Sequence, residues 1–88
     1  MNKEDLYRAV RKEEGVDSMH NKAVEELTEL SLAIQHRKKN GTANVIEEIA
    51  DVIIMCERLT QFYGDENVDN VKSYKLQRLE DRFNNGEL

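Results

Sequence analysis

Apolar residues recur at helical spacing in four segments, with polar and charged residues between them. In residues 2–14, Leu6, Ala9 and Val10 stand among charges, which predicts a short amphipathic helix ended by Glu13-Glu14-Gly15. Asp17 and Ser18 are good N-cap residues for a second helix. From Met19 its stripe runs Ala23, Val24, Leu27, Leu30, Ile34, and it should end near Lys38 or Lys39, where cations favour the helix dipole. Asn40-Gly41-Thr42 is a break, with Thr42 as a cap for the next segment. The third helix is expected from about Asn44 to Tyr63, stopped by Gly64. Val45, Ile46, Ile49, Val52, Ile53 and Ile54 make it apolar on nearly every side, the pattern of a helix buried on several faces. A fourth, capped by Asp65 or Asn67, runs to about Asn85 with a seam of Val68, Lys72, Leu76, Leu79 and Phe83. Four helices with short connections predict one all-α domain over residues 1–88, a small four-helix bundle-like protomer.

Composition supports helix over sheet: there is no Pro and only four Gly. A chain of 88 residues buries only about 60–65% of its unfolded surface, so assembly into a homo-oligomer is expected. The net charge of −5 argues against broad nucleic-acid binding, which needs basic surface. It leaves room for a phosphate ligand held through a metal ion. Cys56 lies in an apolar run and reads as a buried structural thiol. The N-terminal residues show no signal-peptide pattern and no segment is apolar enough for a membrane span, so a cytoplasmic protein is expected.

Two acidic stretches change this picture. Glu25-Glu26-Leu27-Thr28-Glu29 and Glu47-Glu48-Ile49-Ala50-Asp51 each place two acids three residues apart on a predicted helix. Such positions share a face, with Cβ atoms roughly 5–6 Å apart. The eighteen residues between Glu29 and Glu48 suffice to end one helix, turn, and start its antiparallel neighbour. One such pair is ordinary on a solvated face. Two are more specific, because Glu48 and Asp51 stand on the most apolar helix, where an uncompensated acid is costly. Four converging carboxylates need cations between them, and an all-oxygen set suits Mg²⁺ or Mn²⁺. Di-iron bundles use Glu-x-x-His pairs, which this chain lacks, so His20 and His36 read as surface or interface residues. Tyr7 and Arg8 read likewise, and Glu57 and Arg58 as solvated positions. On the last helix Lys75, Arg78 and Arg82 share a face. The bland reading pairs them with Glu80 or Asp81; the sharper one places them against a leaving pyrophosphate.

The pattern E-E-x-x-E followed by E-x-x-D resembles the MazG-like all-α nucleoside triphosphate pyrophosphohydrolases. Gly15-Val16-Asp17-Ser18, the run from Ile46 to Val52, and the tail from Lys75 to Phe83 look like small stand-alone, phage-type members, so the resemblance covers roughly residues 13–85. It implies Mg²⁺-dependent hydrolysis of a nucleoside triphosphate, a deoxynucleotide in the first instance, to the monophosphate and pyrophosphate. It implies metal ligation by Glu26, Glu29, Glu48 and Asp51, with Glu25 and Glu47 orienting water or supporting the ligands. Lys75 and Arg82 match basic residues near the phosphates, with Arg78 beside them. It also implies dimers or tetramers with sites near subunit contacts. The competing reading is a non-catalytic nucleotide- or metal-binding regulatory bundle; a third is a plain oligomerisation module with an acidic face.

Overall fold

Met19 and Ala23 lie near the start of one long helix and Met55 near the end of another, yet these three form one buried cluster, with Leu59 against it. The two helices therefore run antiparallel. In a computed structural model describing all of residues 1–88, they are α2 (Val16–Gln35) and α4 (Ala43–Tyr63). Before them comes α1 (Lys3–Glu14), between them a single turn α3 (Arg37–Asn40), and after them α5 (Asp65–Asn84). There are no strands, and the protein is an all-α, bundle-like assembly of packed helices. None of its helices is long and apolar enough to cross a membrane.

Helix boundaries follow the sequence closely, but capping does not. Gly15, at φ 90°, separates α1 from α2, and α2 begins at Val16 without a side-chain cap, so Asp17 and Ser18 lie inside the first turn. Asn2 caps α1 instead, its Oδ1 accepting from the Asp5 amide at 2.8 Å. Thr42 precedes α4 without a side-chain cap bond, and Gly64 does the same for α5. The second helix stops at Gln35 rather than Lys38 or Lys39: at His36 the chain bends, and its carbonyl then accepts from the amides of Lys39 and Asn40 to form α3. Gly64, at φ 106°, turns the chain into α5, and a Cβ there would stand 2.7 Å from the Asn67 side-chain nitrogen.

The core is small. Only Tyr7, Met19, Ala23, Met55 and Arg58 are buried. On α4 the residues Ile46, Ile49, Ile53 and Ile54 are exposed, so within one chain this helix is covered on one side rather than several. Cys56 is exposed on the same uncovered side, not buried, because Met55 takes the inward position. Every residue from Asp65 onward is exposed, including the expected seam of Val68, Leu76, Leu79 and Phe83, because α5 touches only α4. The radius of gyration is 16.1 Å, against about 12 Å for a compact chain of this length.

Two residues read as solvated hold α1 in place. Arg58 is buried and pairs through Nη2 with Glu14, whose other oxygen takes Lys22 Nζ at 2.6 Å. Lys22, then Arg58, hold the Glu14 carboxyl below its ordinary range. Glu57 accepts from the Tyr7 hydroxyl at 2.9 Å and from Lys3 at 2.8 Å, which lowers its own pKa and raises that of Lys3. Tyr7 is thus a buried anchor rather than a surface residue, while Arg8 stays exposed and pairs with Asp5 at 2.7 Å.

Candidate functional site

The antiparallel pairing of α2 and α4 sets the register of the acids. With Met19 and Ala23 packed on Met55, the acids further along α2 meet those at the start of α4. Carboxylate oxygens of Glu26, Glu29 and Glu48 all lie within 4.8 Å of one another. Glu26 and Glu48 are half-buried, and Glu26 Oε2 and Glu48 Oε2 are shut off from solvent with no hydrogen-bond partner. Loss of water, then the charges of Glu29 and Asp51, push both carboxyls above their ordinary range. Asp51, half-buried, thus stands close enough to act on the group while lying outside the tight triad. Glu25 and Glu47 are exposed neighbours of the ligand candidates.

This donor set fits a hard divalent cation. It is all oxygen, contributed by two helices, and two of its buried oxygens lack any other partner. A buried polar atom without a partner calls for a ligand, an ion or a structural cost.

The basic stripe is elsewhere. Lys75, Arg78 and Arg82 are exposed on α5 without ion pairs, and α5 has no contact with α2. Lys75 borders a groove of about 670 Å³ lined chiefly by Tyr63, Val68, Val71, Leu76 and Leu79. Within one chain, then, the structure brings together three of the four metal candidates, with Asp51 nearby but outside the cluster, and not the phosphate-binding candidates.

A second recess, of about 300 Å³, opens directly beside the acids and includes Glu29 and Glu48 in its wall. Its remaining lining is Leu32, Ala33, His36, Asn40 and Asn44. His36 is exposed, as expected of a surface residue, but it stands in this recess. The signal was present in the spacing: His36 lies seven residues after Glu29 and Asn44 four before Glu48, both same-face intervals. His20 is held at the other end of α2. Its Nδ1–H donates to the Val16 carbonyl at 2.8 Å, which leaves Nε2 to accept from the Tyr63 hydroxyl at 2.7 Å, and its ring packs edge-on against Phe62.

Comparison with protein-family models, with curated proteins and with solved structures finds no match to this chain.

Proposed function

We propose that this protein is a Mg²⁺-dependent, MazG-like nucleoside triphosphate pyrophosphohydrolase, with Mn²⁺ as a substitute metal, that clears unwanted nucleotides in the cytoplasm. The observation that carries the reading is the convergence of Glu26, Glu29 and Glu48 from two antiparallel helices, with orphaned oxygens on Glu26 and Glu48. In this reading those three, with Asp51, hold the metal. Bound there, Mg²⁺ would supply positive charge against the phosphates and lower the pKa of coordinated water. Water oxygen bonds to the α-phosphorus as the bond from that phosphorus to the bridging oxygen breaks, giving the monophosphate and pyrophosphate. Glu25 or Glu47 orients the attacking water and takes its proton.

Lys75, Arg78 and Arg82 neutralise the leaving pyrophosphate in this scheme. Because α5 does not contact α2, they would come from a second copy, consistent with a homodimer or homotetramer. The exposed apolar residues on α4 and α5 support such assembly. The absence of any Lys or Arg paired to the acids in one chain favours, as second reading, a regulatory bundle that binds metal or nucleotide without turnover.

Pyrophosphate release from each ribo- and deoxyribonucleoside triphosphate, with Mg²⁺ and with chelator, tests the proposal. Release is expected only with metal, and Glu48→Gln should reduce it by more than about 100-fold, beyond the effect of an outer-shell change. Nucleotide binding without release from any of them would leave the second reading.

A further inference from the structure

Two stripes of the same spacing flank Gly64. On α4, Ile46, Ile49, Ile53, Cys56 and Thr60 recur at alternating intervals of three and four. On α5, Asp69, Lys72, Leu76, Leu79 and Phe83 do the same. That alternation is the seam of a coiled coil. Followed outward from Gly64, the stripes match rung for rung: Thr60 with Asp69, Cys56 with Lys72, Ile53 with Leu76, Ile49 with Leu79 and Ile46 with Phe83. The rungs nearest the glycine are polar, and Thr60, Asp69 and Lys72 line one open cleft of about 420 Å³. The outer rungs are apolar on both helices, and all their residues are exposed.

Within one chain these outer rungs cannot close. A helical hairpin needs a connection of about 2–5 residues, and here Gly64 alone separates Tyr63 from Asp65. It has no slack: its amide donates to the Thr60 carbonyl at 2.8 Å to finish α4, and its carbonyl accepts from the Val68 amide at 3.1 Å to begin α5. The two helices therefore diverge beyond the cleft, and α5 touches nothing but the helix before it.

We infer that the outer rungs close between two copies, each chain laying its α5 antiparallel along the α4 of the other in the register counted from Gly64. The inference rests on the homo-oligomer of the proposed function and not on turnover. A connection too short for a hairpin favours such an exchange of identical elements. The exchange is reciprocal, so a single two-fold axis near the paired glycines covers both isoleucine stripes at once. Lys75, Arg78 and Arg82 stand beside the α5 stripe rather than in it, and the seam leaves them free.

Disulfide trapping on the full-length chain tests the seam. In a Cys56→Ser background, Ile53→Cys and Leu76→Cys are made as separate proteins, mixed, allowed to exchange and mildly oxidised. A cross-linked hybrid of the two chains is expected as the main product, which closure within one chain cannot give. Mixing Ile46→Cys with Leu76→Cys is the register control. Leu76 stands seven residues from the rung expected of Ile46, about 10 Å along the helix, beyond the reach of a disulfide. All these positions are exposed, so the variants should fold as wild type does. No hybrid in the first mixture, or as much in the control, overturns the inference. So does a link of Ile53→Cys only to itself, which sets α4 against α4. A link formed only inside one chain, in the Ile53→Cys, Leu76→Cys double variant, overturns it as well. The readout is independent of chemistry: a hybrid without pyrophosphate release removes the enzyme reading alone, and release without a hybrid removes the seam alone.

Discussion

Glu48 illustrates how a side chain trades stability for a site. Its carboxyl loses water on α4 and faces Glu29, Asp51 and Glu26, so the folded chain binds its proton more tightly than the unfolded chain does. A raised carboxyl pKa is a penalty at neutral pH that fades as the pH falls through the folded-state value. Glu26 carries the same sign. Metal-free Glu26→Gln or Glu48→Gln should therefore melt a few degrees higher than wild type at neutral pH. The gain should shrink in mildly acidic buffer and reverse on addition of Mg²⁺. Thermal melts at two pH values, with and without metal, check this. Glu14 has the opposite sign. Its lowered pKa adds stability at neutral pH that is lost as the pH falls through the carboxylate range. Arg58→Ala, which leaves Glu14 with Lys22 alone, should cost about 2–3 kcal/mol in urea unfolding at neutral pH. The cost should diminish in acid, where Glu14 is protonated in both proteins.

Order and ends of the four long helices were legible to within a few residues, because Gly15, Gly41 and Gly64 punctuate strong 3.6-residue patterns, whereas the fifth, the single turn α3, was not expected. The Glu26–Glu29–Glu48 encounter was legible too, from i, i+3 spacing on two helices joined by a short break, while Asp51, expected among the same converging acids, lies outside that cluster. What periodicity does not encode is which apolar face finds a partner. The isoleucines of α4 signal burial, yet a single chain supplies α4 with a partner on one side only. Glu57 and Arg58 have the reverse problem: nothing local distinguishes them from solvated residues, and their roles come from α1, some fifty positions away. The break at His36 was hidden because Arg37, Lys38 and Lys39 have good helix propensity on either side of any boundary drawn there.

The whole molecule is more extended than its length requires, spanning 47 × 38 × 23 Å. Large apolar residues stand exposed on both α4 and α5, among them Ile46, Ile53, Leu76 and Phe83, and uncovered apolar surface of this kind marks faces that meet a partner when it is contiguous. Sedimentation should find a dimer or tetramer at micromolar concentration, with a melting temperature that rises with protein concentration. Charge placed among these residues, as in Ile53→Glu with Leu76→Glu, should shift the protein toward monomer. A melting temperature independent of concentration in wild type would contradict this.

The helix α5 is joined to the rest by one glycine and touches only α4, and this has a consequence for how activity is measured. If its cations serve a neighbouring copy's acids, turnover per protomer is not a constant. It should decline on dilution, and fall in step with the loss of amide hydrogen-exchange protection along α5, while α2 and α4 stay protected. Mixing an acid-site variant with an α5 variant, each inactive alone, would then restore turnover in the hybrid.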